Sequence, residues 1–333
     1  MTINNSNEFG TILSQNSIEL YWNSYKNLEK ELITYAELIY IDDDQKTVYS
    51  MRIAELILRT AAGIESLCKD LYATLGCTSA QGTRFNYDKP CIQEFNRRWD
   101  IDKKIVEINH PFIRFRNREI APFTNAVART INNPDANIWK SAYNDIKHNF
   151  MNKLKSANIQ AFIEALAALY LLNIIAKGCL HDIAIPNRSA AEKFDATFGS
   201  MIYSVKINKV LDAKSIGADG IVLRELTYKP DATYCIRPIP EALEKIYDVM
   251  KKVSNDAKTE NTLKAALNNL LLSKEIQIPL DGQLNPKDVE KLNFKAQSIA
   301  FSKYAQEFGN MVSNINYRAS LNIKQDSSAP SCN

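Results

Sequence analysis

Glycine is scarce, with ten in 333 residues. β-Sandwiches and Gly-rich α/β nucleotide folds need more of it in their turns and phosphate loops, so both are disfavoured. The sequence has no G-x-x-x-x-G-K-[ST], no G-x-G-x-x-G and no serine elbow, which argues against nucleotide hydrolysis and ordinary esterase chemistry. Six cysteines are scattered without a CxxC pair, and three histidines each lack a second one at ligand spacing. No metal site and no cofactor are therefore expected. The first fifteen residues, "MTINNSNEFGTILSQ", contain neither a basic n-region nor an apolar h-region. No secretory signal is expected, the cysteines are expected to be reduced thiols, and the chain is expected in the cytoplasm. The longest apolar run, Ala165 to Ala176, is interrupted by Asn173 and falls short of the roughly 20 residues a bilayer span needs. It predicts a buried core helix and no membrane association.

Charge of either sign is also not in excess. Forty-one basic and thirty-eight acidic residues leave a formal +3, too balanced to announce nucleic-acid binding, although a local basic face remains open. What the chain does have is 45% hydrophobic residues in long helical periods. Leu20, Tyr25, Leu28, Leu32 and Ile39 recur at helical steps through 18–41, and Met51, Ala54, Leu58, Leu67 and Leu71 do so through 48–75. Two such helices on a short loop predict an antiparallel hairpin. The loop holds Asp42, Asp43 and Asp44, which are expected to solvate the turn and cap the second helix.

Further on, a short helix is expected near 92–99, a brief extended segment in "IVEINHPFI", a helix from Pro122 to "INNPDA", one over 137–151, and another over 159–180 with His181 capping its end. Beyond a linker at 186–198, the runs at 200–207, 220–226 and 233–239 read as a small antiparallel meander. Helices follow at 240–253, 259–272 and 286–312, with a short strand "EIQIPL" before the last. The expected fold is mainly α: a helical domain over 15–185, then a smaller α+β domain over 199–315 with a short antiparallel sheet. Residues 1–14 and 320–333 are expected to be disordered.

The stretch "WKSAYNDIKH", 139–148, concentrates the chemistry. On a helix Trp139, Ala142, Tyr143, Ile146 and Phe150 form one apolar stripe, while Asn144 and His148, one i,i+4 step apart, share the neighbouring polar face. An imidazole steadied by an amide can act as a general base or donate to a phosphate. Lys147 lies about 100° around the helix from His148, and Lys140 about 12 Å away along it. In "IRFRNRE", an extended chain would set Arg114, Arg116 and Arg118 on one side as phosphate contacts, with Ile113 and Phe115 pointing inward.

The stretch resembles the central motif of the HEPN superfamily, small all-α domains of bacterial toxins, abortive-infection proteins and other phage-defence effectors. The fuller pattern resembles a HEPN-like bacterial group with a W-x-x-A-Y-N-x-x-K-H signature. The flanks "EIAPFTNA" (119–126), "ANIQAFIEALAALYLLNIIA" (157–176) and "AELILRTAAGIESLCKDLY" (54–72) extend the likeness over about residues 15–180, with Glu65 and Lys69 at its polar positions. The resemblance implies a HEPN-like helical bundle that forms a homodimer, and a metal-independent endoribonuclease in which His148 is the acid/base and Asn144 orients it or touches the phosphate. The family's arginine position falls on Tyr143, so the cation at the phosphate is expected from Arg59, Arg129 or a partner subunit. The alternative is a non-catalytic HEPN-like scaffold that binds a nucleotide, RNA or a defence-system partner protein.

Overall fold

The computed structural model describes residues 12–77, 90–124, 138–178, 181–183, 194–209, 211–213, 223–225, 229–277, 283–313 and 316–323. Apolar residues at helical spacing build helices α1 (Gln15–Leu38) and α2 (Met51–Thr74). Each starts where a serine hydroxyl accepts an otherwise orphaned N–H: Ser14 from Ser17 at 3.3 Å, and Ser50 from Ile53 at 3.1 Å. The aspartates before α2 do not cap it. Asp42 accepts the Asp44 N–H at 2.8 Å, and Asp43 pairs with Lys46 at 2.5 Å and Arg116 at 3.5 Å. Tyr21, near the start of α1, donates to Asp70 near the end of α2 at 2.6 Å, while Arg52 at the start of α2 reaches Glu31 at 2.7 Å. These contacts set the two helices antiparallel, as their spacing predicts.

After α3 (Pro90–Trp99), β1 (Val106–Ile108) and β2 (Glu119–Ile120) come α4 (Ile138–Lys153) and α5 (Ile159–Lys177). Sixteen of the nineteen residues of α5 are buried. Its length and composition would also suit a bilayer, but it packs against α1, α2 and α4 as the centre of the core. Asn173, a fully buried polar residue of this helix, donates to the Leu169 carbonyl at 2.9 Å. The helix stops at Gly178, which has φ +51°, and there a Cβ would lie 2.8 Å from Ile12 Cγ1. Of the helix expected from Pro122, residues Pro122 to Thr124 form a turn, and the rest lies outside the described residues.

The strands depart from the expected meander. They are β3 (His181–Ile183), β4 (Tyr203–Val205), β5 (Ile207–Lys209), β6 (Leu211–Ala213), β7 (Leu223–Glu225), β8 (Tyr234–Pro238) and β9 (Tyr317–Leu321). β4 joins the first half of the chain, antiparallel to β1 with Val205 opposite Val106, to give the order β2-β1-β4. β5 runs parallel to β8, β9 inserts between β3 and β8, and β6 pairs with β7 in a two-stranded sheet. His181 thus sits in a strand opposite Ala319 and is not a helix cap. Residues 275–277 of the expected "EIQIPL" strand are not in a strand, and the remainder lies outside the described residues.

The boundary expected between residues 185 and 199 does not separate two cores. Tyr203, Val205, Tyr234, Ile236, Ala319 and Leu321 are buried in the same cluster as α1, α2 and α5. The expected disorder fails at both described ends. Leu13 is 5% exposed, and Asn322 is 2% exposed just beyond β9. The separate unit is a helical excursion: the chain leaves β8 at Pro238, forms α6 (Pro240–Ala257), α7 (Glu260–Leu272) and α8 (Pro286–Ser313), and re-enters β9 opposite its exit, Pro238 facing Tyr317. This excursion has its own apolar cluster around Ile246, Val253, Ala266, Phe301 and Phe308. Cys68, Cys91 and Cys235 are buried, as expected of core fillers, whereas Cys77, expected to be a reduced thiol, is disulfide-bonded.

Two buried ions tie the halves together. Glu29 on α1, 1% exposed, accepts hydrogen bonds from Tyr25 at 2.8 Å, Ser200 at 2.5 Å, and the backbone N–H groups of Met201 at 2.9 Å and Ile202 at 3.2 Å. Lys26 completes the set as its ion-pair partner. Burial pushes the Glu29 pKa up, but the donors from Lys26, Ser200 and Tyr25 outweigh it and leave the group below its ordinary 4.5. Lys104, 1% exposed, donates to the carbonyls of Pro230 at 3.0 Å, Ala232 at 2.7 Å and Asn322 at 3.4 Å. Burial lowers its pKa to about 8.

Replacing Glu29 with Gln is expected to cost about 2–3 kcal/mol near neutral pH, the scale of hydrogen bonds to a charged group. Because the folded pKa is lowered, the charge-dependent stabilisation is complete above the ordinary value of 4.5 and is lost as pH falls through the folded value. Urea melts of both proteins at about pH 7 and about pH 3 should show the gap closing in acid. Equal stability at neutral pH would refute the tie.

Candidate functional site on α4

Helix α4 holds its place through its apolar stripe. Trp139, Ala142 and Ile146 are buried, and Tyr143 and Phe150 pack half-buried against the same core. The Trp139 indole N–H donates to the Pro122 carbonyl at 2.8 Å, and its ring meets Phe123 edge-on at 6.3 Å. The "PF" pair and the tryptophan are therefore in direct contact.

The polar edge faces water. Asn144, Lys147 and His148 are exposed and Lys140 is half-buried. Neither Asn144 nor His148 has a hydrogen-bond or ion-pair partner among the described residues, so the amide does not set the imidazole tautomer as expected. Water meets both groups, and an intrahelical bond between exposed side chains gains little. The helix breaks immediately after His148, at Asn149 with φ −149° and ψ 54°. Asn152 donates to the Asn149 side chain at 2.9 Å, and Ser156 donates to Asp145 at 2.7 Å across the turn into α5. The candidate histidine thus ends a rigid segment.

Other expected site residues pair among themselves. Lys147 donates to the Tyr143 hydroxyl at 3.1 Å and lies 5.2 Å from the centre of its ring. Glu65 and Lys69 form an i,i+4 pair of 2.8 Å on α2. The segment 113–118 alternates as its sequence predicts, with Ile113 and Phe115 buried and the three arginines exposed. Arg114 donates to the Pro111 carbonyl at 2.9 Å and lies 5.7 Å from the Tyr40 ring centre. Arg116, 95% exposed, pairs with Asp43, and Arg118 reaches the Ile113 carbonyl at 3.3 Å. None of these arginine contacts reaches α4. Arg59 is exposed on α2, and Arg129 lies outside the described residues. His110 is buried, accepts the Phe112 N–H at 3.3 Å, and has its pKa lowered by burial. Among the described residues no three His, Cys, Asp or Glu side chains gather as a metal site.

Sequence reasoning missed a cavity of about 250 Å³ beside the start of α4, whose walls include Lys46, Phe115, Ile138, Gln160 and Glu164. The available signal was Gln160 and Glu164, an i,i+4 polar pair in the first turns of a mostly apolar helix. No protein-family model, no curated protein and no solved structure matches this chain.

The buried and exposed sides of α4 should respond differently to truncation. Trp139→Ala is expected to cost about 3–5 kcal/mol, while His148→Ala stays within about 0.5 kcal/mol of wild type. Denaturant melts check both values, and a large loss for His148→Ala would mean a structural role for the imidazole.

Proposed function

We propose that this chain is a HEPN-like protein of bacterial conflict, working in phage defence or a toxin-type system, and that its α4 edge acts on RNA. The observation that supports this reading best is the solvent-facing, partner-free pair Asn144 and His148 on a helix anchored by Trp139. A neutral imidazole there can take the proton of a ribose 2′-hydroxyl and later return one to the leaving oxygen. Asn144 donates to the phosphate from the same face. No arginine contact among the described residues reaches this edge, and Lys147 is held by Tyr143. In this reading the cation at the phosphate is supplied by a homodimer partner across a shared groove, where water exclusion strengthens the charge. The proposed setting is the cytoplasm, with the Cys77 disulfide an exception to its reducing poise.

The Tyr143–Lys147 contact also favours a second reading. With tyrosine at the arginine position and the adjacent lysine bound to it, the same edge serves as a non-catalytic scaffold face for RNA, a nucleotide or a defence-system partner protein.

Wild type and His148→Ala, incubated with total RNA and expressed in growing and phage-infected cells, separate the readings. The enzyme reading expects RNA cleavage and growth arrest by wild type, with cleavage reduced at least about hundredfold in the variant, the usual scale for a lost acid/base. Intact RNA with concentrated wild type, in vitro and during infection, would eliminate the nuclease and leave the scaffold.

A further inference from the structure

The cavity beside α4 has a charge pattern of its own. Lys46 enters from the turn before α2, Glu119 and Ile120 from β2, Ile138 from the start of α4, and Gln160 and Glu164 from the first turns of α5. The Lys46 ammonium is matched by Asp43 at 2.5 Å and lies 4.6 Å from the Phe115 ring centre. Glu119 is matched by Lys206 at 2.7 Å. Glu164 differs from both. Its half-buried carboxylate accepts from the Gln160 amide at 3.0 Å and from the Trp139 backbone N–H, and it forms no ion pair among the described residues. Burial raises its pKa above the ordinary 4.5, and the Gln160 hydrogen bond, the Lys46 charge and the Trp139 N–H offset this only in part.

An ionised carboxylate on the wall of a pocket, hydrogen-bonded among the described residues by neutral donors, gains most from a cation that brings its own hydrogen-bond donors. The remaining wall sets Phe115, Ile120, Ala121 and Ile138 beside the polar but uncharged Asn117 and Thr124. We propose that this cavity is a binding site for a small organic cation, a guanidinium or primary ammonium on a short apolar stem, with Glu164 as its counter-ion. A volume of about 250 Å³ suits a ligand of amino-acid size and lies below the range of drug-sized sites. A divalent metal would ask for six or more oxygens, whereas among the described residues this wall offers the carboxylates of Glu119, already paired with Lys206, and Glu164. An anion would face two carboxylates and a lysine that is already paired. The site rests on none of the residues assigned to RNA chemistry, so it stands or falls apart from that proposal.

Isothermal titration with n-butylguanidinium and with n-butylurea, its neutral isostere, tests the assignment. Wild type should bind the guanidinium saturably and the urea at least about tenfold more weakly. Glu164→Gln, which keeps the side-chain shape and removes the charge, should weaken guanidinium binding by at least about tenfold. Ala121→Leu, which fills the cavity and leaves Glu164 intact, should abolish it. Circular dichroism establishes that each variant is folded. If Glu164→Gln does not fold, the urea comparison and Ala121→Leu decide the matter alone. No saturable guanidinium binding up to about 10 mM, equal binding of the urea, or unchanged binding by either folded variant would overturn the site.

Discussion

Burying the Glu29 carboxylate constrains most of what surrounds it. Removing a carboxylate from water costs several kcal/mol unless donors meet its oxygens, and α1 supplies only Tyr25 and Lys26 from its own length. The remaining donors are Ser200 and the N–H groups of Met201 and Ile202, which immediately precede β4. Helix α1 therefore cannot settle at full stability until that distant segment arrives. Once there, β4 pairs with β1, and Tyr203 donates to the Ile163 carbonyl of α5 at 2.7 Å. Lys104 repeats the arrangement with the opposite sign, collecting carbonyls at 230, 232 and 322 around one ammonium. Two buried ions make one core of helices and strands that the chain order keeps far apart.

The helical excursion α6–α8 escapes this constraint. It leaves and rejoins the sheet at neighbouring positions, Pro238 and Tyr317, and buries its apolar residues among themselves. Such an insertion into a strand pair changes little in the sheet that carries it, which gives the molecule a second body without a second sheet.

The same core sets what α4 offers. With Trp139 fixed by Pro122 and Phe123, the outward residues of the helix are held by a rigid frame, which a binding or reacting face requires. The Trp139 backbone N–H also reaches Glu164, so the start of α4 and the wall of the cavity share one carboxylate. The polar edge ending at His148 and the cavity at Ile138 thus lie at opposite ends of one helix.

Much of this was legible in the residues. The periods of α1, α2 and α5, the stripe of α4 and the inward Ile113 and Phe115 all follow from spacing along a few turns, because side-chain direction is fixed by local backbone geometry. The exposure of Asn144 and His148 follows the same way. What spacing could not supply was partnership: that β4 belongs with β1, that β9 lies between β3 and β8, that Asn144 leaves His148 alone while Tyr143 takes Lys147, and that Glu164 lines a cavity. Sequence determined the mainly helical fold and which face of each helix points inward. Tertiary structure alone decided which strands meet and which charges are buried, because the gain from those contacts must exceed the entropy of closing long loops and exists only when distant segments arrive together.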